Sequence, residues 1–221
     1  MTALAWDKAG ERFYETGVEK GVLYPYNNSA YQNGVAWNGL INVTEKPTGG
    51  EAKPLYADDI KYLNLMSKEE FGCGIEAYTY PPEFDACNGT KEVATGIMAS
   101  QQDREEFGFC YRTKIGNDTE GTKKGYKIHL VYGAKAAPSE VAHQSETDDP
   151  EALTFSWDVT TTPVECPGMK PTAHLTIDSR KVSQENMKKL EDKLYGNESG
   201  EATLLLPKEV IALVGPGPEA A

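Results

Sequence analysis

Between Ala152 and Val182 the chain alternates apolar and polar residues twice over. Leu153, Phe155, Trp157 and Val159 fall on one side of an extended chain, with Thr154, Ser156, Asp158 and Thr160 on the other. Ala173, Leu175 and Ile177 repeat the pattern against Thr172, His174, Thr176 and Asp178. A period of two marks strands with one apolar and one wet face. The same period recurs upstream. Phe71, Cys73, Ile75 and Ala77 oppose Gly72, Gly74, Glu76 and Tyr78, and Pro81-Pro82 ends the run. Phe107, Phe109, Tyr111 and Thr113 alternate with Gly108, Cys110 and Arg112. Ile128, Leu130 and Tyr132 follow after the polar turn GNDTEGTKKG, which makes this the clearest hairpin in the chain.

Shorter elements fill the remainder. Residues 11–15 allow a short helix, 21–25 read as a short strand stopped by proline, and 35–43 as a strand with a bulge at Gly39. EKPTGGEAK (45–53) reads as a flexible charged loop, Tyr56 to Met66 as strand-like in part, and 82–93 and 134–151 as loops. From Ser183 to Tyr195 the period changes to that of a helix, with Met187, Leu190 and Leu194 on one stripe, Ser183 as N-cap and Gly196 at the C-terminal end. Residues 202–207 read as extended, 208–214 as one or two helical turns, and 215–221 as a disordered tail. The prediction is a mainly β fold with one flanking α-helix, a single domain over residues 1–214.

Composition narrows the function classes. The 221 residues include 21 Gly and 13 Pro, which suits many turns. The formal charge of −12, from 34 acidic and 22 basic residues, is the wrong sign for gripping a phosphate backbone or an anionic membrane. No run is long enough to span a bilayer, and MTALAWDKAGERF carries no apolar segment of the secretory kind. Cys73, Cys87, Cys110 and Cys166 lie far apart without zinc spacing and read as reduced thiols.

Catalytic and ligand motifs are scarce. No G-x-S-x-G, phosphate-binding loop or dinucleotide fingerprint occurs. His129 and His174 sit mid-strand with no second ligand at metal spacing, so a solvent-facing or hydrogen-bonded role is the simpler reading. GNDTEG is acidic but lacks the ligand ladder of a calcium loop. Glu76 and Asp158 could form a glycosidase pair only if the fold set them at the required separation. Trp37, Tyr78 and Tyr80 could stack on sugars, although such residues more often serve a core or an interface. The expectation is therefore no catalytic residue, no metal and no cofactor.

ERFYETGVEKGVLYP (11–25), NGVAWNGLINVTEKPTGG (33–50), ADDIKYLNLMSKEEFGCGIEAYTYPPEF (57–84), FGFCYRTKIGNDTEGTKKGYKIHLVYGAKAAPSE (107–140) and ALTFSWDVTTTPV (152–164) together resemble the major tail, or tail tube, proteins of long-tailed non-contractile bacteriophages. The likeness runs in order through nearly the whole chain to about Val182, and the segments after it resemble the usual end of that family. It implies a β-sandwich or barrel of the tail tube type with a flanking helix and a long protruding loop. Subunits of such proteins close into hexameric rings that stack as a tube in the virion, after assembly in the host cytoplasm. The implied partners are further copies of the chain, a tape-measure protein, tail initiator and terminator proteins, and DNA in transit. By matching order, the resemblance places an inter-ring arm at Glu45 to Asp59, including Lys46, Pro47, Gly49, Gly50, Lys53 and Tyr56.

The residue pattern carries the same expectation further. A channel wall must be polar to stay wet and weakly acidic to let a polyanion pass. Glu76, Asp158 and Asp178, on the polar sides of three predicted strands, are the expected wall carboxylates. A carbohydrate-binding β-sandwich of a virion is the alternative, and it requires a patch of exposed aromatics.

Overall fold

The computed structural model describes residues 3–145, 148, 151–198 and 200–215. The strands in order are β1 (Phe13–Asn27), β2 (Ala30–Tyr31), β3 (Val35–Trp37), β4 (Leu40–Glu45), β5 (Thr48–Gly49), β6 (Ala52–Ala57), β7 (Ile60–Met66), β8 (Glu69–Glu70), β9 (Gly72–Ala77), β10 (Lys91–Ala94), β11 (Ile97–Ala99), β12 (Phe107–Asn117), β13 (Gly121–Ala136), β14 (Phe155–Thr161) and β15 (His174–Asp178). Two helices follow, α1 (Gln184–Tyr195) and α2 (Pro207–Val214). The fold is mainly β, as the alternation predicts, and falls in the sandwich and barrel class.

One antiparallel sheet organises the chain in the order β2-β1-β12-β13-β14-β9-β4, with β3 also on β1 and β15 also on β13. The sheet curls so that β14, β9 and β4 come back over β1, β12 and β13. An aromatic core fills the space between: Leu23, Trp37, Phe107, Phe109, Tyr111 and Val131 from one side meet Cys73, Ile75, Trp157 and Val159 from the other, with Phe84 between them. Trp37 is the hub, its ring 4.6 Å from Phe84, 5.5 Å from Phe109 and 5.6 Å from Trp157. Tilted and edge-on ring packing of this kind adds to the area buried.

The opposite face of β1, β12 and β13 is also buried. Val22, Tyr24, Cys110, Ile128, Leu130 and Tyr132 pack beneath Met187, Leu190 and Leu194 of α1, the extended Leu204-Leu205 pair and Val210 of α2. Two tyrosines latch this helical layer to the sheet. The Tyr24 hydroxyl donates to the Leu194 carbonyl at 2.5 Å, and that of Tyr132 to the Leu205 carbonyl at 2.8 Å. The helix starts where the sequence predicts. Ser183 Oγ accepts from the Asn186 amide at 3.3 Å, and Gly196 takes the positive φ of 76° that ends it. In α2, Pro207 opens the helix and Glu209 accepts from the Leu206 amide at 2.8 Å.

Several expectations are corrected. Residues 13–15 are strand, not helix, because they pair with 115–117 at the far end of β12. The 35–43 strand is two strands, broken at Gly39 with φ of 75°. Residues 91–99 form a hairpin whose first three residues fall in the loop expected at 82–93. The tail expected at 215–221 lies outside the described residues except for Gly215.

Replacing Leu190 with alanine should lower unfolding free energy by about 2–5 kcal/mol, as large-to-small changes in closed cores do. Lys188→Ala, on the exposed side of the same helix, should stay within about 0.5 kcal/mol of the parent. Urea unfolding followed by tryptophan fluorescence checks both.

Candidate assembly surfaces

The arm expected at 45–59 is a hairpin, and a longer one. Beyond Glu45 the β4/β9 pair continues through β5 on β8 into the ribbon β6 on β7. Asp58 and Asp59, with φ of 50° and 62°, make its tip. Two positive φ values in a two-residue connection suit the twist of a hairpin. Lys46, Pro47, Gly49, Gly50, Lys53 and Tyr56 all lie on the outgoing half, and β7 and β8 form the return that the sequence reading left outside the arm. Gly49 is required by a close approach, since a Cβ there would sit 2.1 Å from the Lys68 carbonyl oxygen.

Every residue of β6 and β7 is exposed. The register sets Leu55 opposite Leu63, Lys53 opposite Leu65 and Ala57 opposite Ile60. One face of the ribbon is therefore an apolar stripe of Leu55, Ile60, Leu63 and Leu65, with Ile60 65% and Leu65 53% exposed. Tyr56, Tyr62 and Met66 are also strongly exposed.

The second surface is the outward side of β4, β9 and β14. Their inward residues enter the aromatic core, which leaves Asn42, Thr44, Glu76, Ser156, Asp158 and Thr160 outside. Glu76 stands opposite Ser156 on one neighbour and Asn42 on the other. Asp158 accepts from the Lys46 ammonium at 2.5 Å, in an exposed pair. Glu76 and Asp158 thus share one polar face. Asp178 does not. Its neighbour Ile177 points into the helix-covered core, so Asp178 lies on the opposite side of the sheet. There Arg180 clasps it through two side-chain hydrogen bonds of 2.7 and 3.0 Å, which hold its carboxyl below the usual range.

The aromatics needed for a sugar platform are not together on the surface. Trp37 is buried and donates its indole N–H to the Thr79 carbonyl at 2.9 Å, and Tyr80 packs against the aromatic core, while Tyr78 is exposed. GNDTEG is the β12–β13 turn, with the Glu120 amide donating to Asn117 Oδ1 at 2.7 Å.

At the root of the arm the structure assembles a group that linear spacing does not reveal. His129 and His174 are diagonal neighbours across the β13/β15 ladder, with Nδ1 of His129 and Nε2 of His174 3.2 Å apart. Glu45 Oε1 lies 3.4 Å from the first and 3.8 Å from the second, and accepts from the Tyr111 hydroxyl at 3.0 Å. The Tyr111 ring stacks on His129 at 4.5 Å and the Phe71 ring on His174 at 4.4 Å. Burial, helped by the neighbouring imidazole, pushes the His129 pKa down to about 4, against opposing pulls from Glu45 and Glu15; Lys127 adds to the lowering. Burial lowers His174 as well. Of the solvent-facing and hydrogen-bonded roles expected for these histidines, the hydrogen-bonded one holds, with His129 buried and His174 partly buried.

No family model matches the chain, and no curated protein does. Among solved structures, the chain is similar to one in the cryo-EM structure of the anti-feeding prophage baseplate, 6-fold symmetrised, with a TM-score of 0.37 and 8% identity over 79% of this chain and 97% of that one. Among the described residues no helix is long and apolar enough to cross a membrane.

Because His129 is depressed in the folded state, the unfolded chain binds its proton first as pH falls. Stability should be full above about pH 6.5 and decline toward pH 4. Thermal melts across this range should show that slope flattened in a His129→Gln variant, measured relative to each protein's own melting temperature at pH 7.5.

Proposed function

We propose that the chain is a structural virion protein, the subunit of a phage tail tube, with no enzymatic role. It polymerises as hexameric rings that stack into the conduit for DNA delivery. Its partners are other copies of itself, the tape-measure protein, the tail initiator and terminator, and DNA only in passing. It is made and assembled in the host cytoplasm and ends in the phage tail.

The observation that carries this reading is the free-standing hairpin arm. A two-stranded ribbon alone in water is marginal at best. This one also leaves Leu55, Ile60, Leu63 and Leu65 uncovered on a chain that has otherwise closed two cores. An arm of this shape, placed where the sequence likeness puts the inter-ring contact, suits docking on a copy in the next ring. The outward face suits a wetted channel wall: it is polar throughout, the Glu76 carboxylate repels passing phosphates, and Asp158 sits beside it in its exposed pair with Lys46. Asp178, on the other face of the sheet, is left out of that wall.

Negative-stain microscopy of concentrated protein tests the reading. The native chain should give rings or tubes with a central hole. Changing Leu55, Ile60, Leu63 and Leu65 together to serine should keep the circular dichroism of the parent and remove stacking. Normal tubes from that variant would count against the arm. Tubes carrying Glu76→Lys and Asp158→Lys should retain DNA against nuclease at low salt, while native tubes should not; equal retention would remove these two residues from the wall.

A further inference from the structure

We propose that Glu45, His129 and His174 form a binding site for a divalent transition-metal ion of the zinc class, at the root of the arm. The three donors come from three separate strands: Glu45 ends β4, His129 is mid-β13 and His174 begins β15. Zinc holds imidazole nitrogens at about 2.0–2.1 Å and carboxylate oxygens at about 2.0–2.2 Å in a tetrahedron, which sets neighbouring donors about 3.4 Å apart. The donor separations here are 3.2, 3.4 and 3.8 Å. One ion can touch all three with small side-chain adjustments, and water takes the fourth position.

The surroundings are those of a held ligand set. The second nitrogen of His129, Nε2, lies 3.1 Å from Thr113 Oγ1, an outer contact of the kind that orients metal-bound histidines. Tyr111 fixes the carboxylate through its hydroxyl while its ring covers His129, and Phe71 covers His174. Both imidazoles are nearly enclosed, with side chains 7% and 15% exposed, whereas that of Glu45 is 43% exposed and opens the site to solvent. Nitrogen and carboxylate donors together select zinc, cobalt, nickel or copper over magnesium or calcium. Glu45 is the last residue before the arm and Phe71 the first residue past its return, so a bound ion would tie the arm's root to the β13/β15 ladder. This site does not depend on the tube reading.

The test uses the untagged full-length chain, freed of metal with a chelator and dialysed. Isothermal titration with Zn²⁺ should show one ion per chain, and Co²⁺ should give the visible absorption of a four-coordinate site. Binding should weaken at least tenfold in Glu45→Gln and be lost in His174→Gln. Thr113→Val, which removes the outer contact, should weaken it by about tenfold. If His174→Gln does not fold, Glu45→Gln decides, because its side chain is partly in solvent and its loss leaves the cores intact. The absence of both a Zn²⁺ heat and a Co²⁺ spectrum in the native chain would overturn the proposal, leaving two histidines joined only by their hydrogen bond. Unchanged affinity in Glu45→Gln would overturn it too, by locating the ion elsewhere.

Discussion

A bend in β13 at Gly133 sets the arrangement of everything else. Before it, Ile128, Leu130 and Tyr132 face the helical layer and Val131 faces the aromatic core. After it, Ala134 and Ala136 face the aromatic core instead, so the alternation changes phase. The change needs the left-handed φ of 57° at Gly133, where a Cβ would lie 2.3 Å from the Thr162 carbonyl oxygen. A glycine bulge of this kind adds a residue on one strand and sharpens the local twist. Because of it, one edge of this 16-residue strand serves two partners, β15 along residues 127–131 and β14 along residues 134–136. The curl that brings β14, β9 and β4 over the aromatic core begins there.

The same bend explains how far the sequence could be read. Local period and capping locate β12, β13, β14, β15 and α1, and in β14 and β15 the inward residues are those that alternation selects, whereas β12 and β13 bury both faces. Alternation says which residues of one strand share a side. It does not say which sides two strands have in common. The apolar side of β14 faces the aromatic core and that of β15 faces the helices, so Asp158 and Asp178 look alike in sequence and lie on opposite faces of the sheet. The length of the arm was hidden for another reason. Its tip is Asp58-Asp59 rather than an Asn-Gly or Asp-Gly pair, and Pro54 and the paired glycines read as loop. The first turn of β1 was hidden because its partner lies about a hundred residues downstream, which overrides a weak local helical preference.

The histidine cluster had no linear signal at all. His129 and His174 each stand alone among residues of ordinary strand type, and only the β13/β15 register makes them neighbours. Glu45 reaches them because β4 ends over the open side of that ladder, where the aromatic core gives way to the arm. The arm therefore grows from the point where the two halves of the curled sheet meet. Its root is held by rings and polar contacts, while its ribbon projects without cover. That division of a packed base and an uncovered ribbon with an apolar stripe suits a part whose burial waits for a second molecule.

In the function proposed for this chain, the arm and the outward polar face complete themselves in an assembly of identical chains. A cryo-electron microscopy reconstruction of the concentrated protein is the most direct measurement. Closed rings around a hollow bore are expected, with Glu76 and Asp158 turned to the bore and the Leu55–Leu65 stripe buried against a copy in the next ring. A solid particle without a bore, a bore lined by lysine and arginine, or an arm left in solvent between stacked rings would contradict the proposed function.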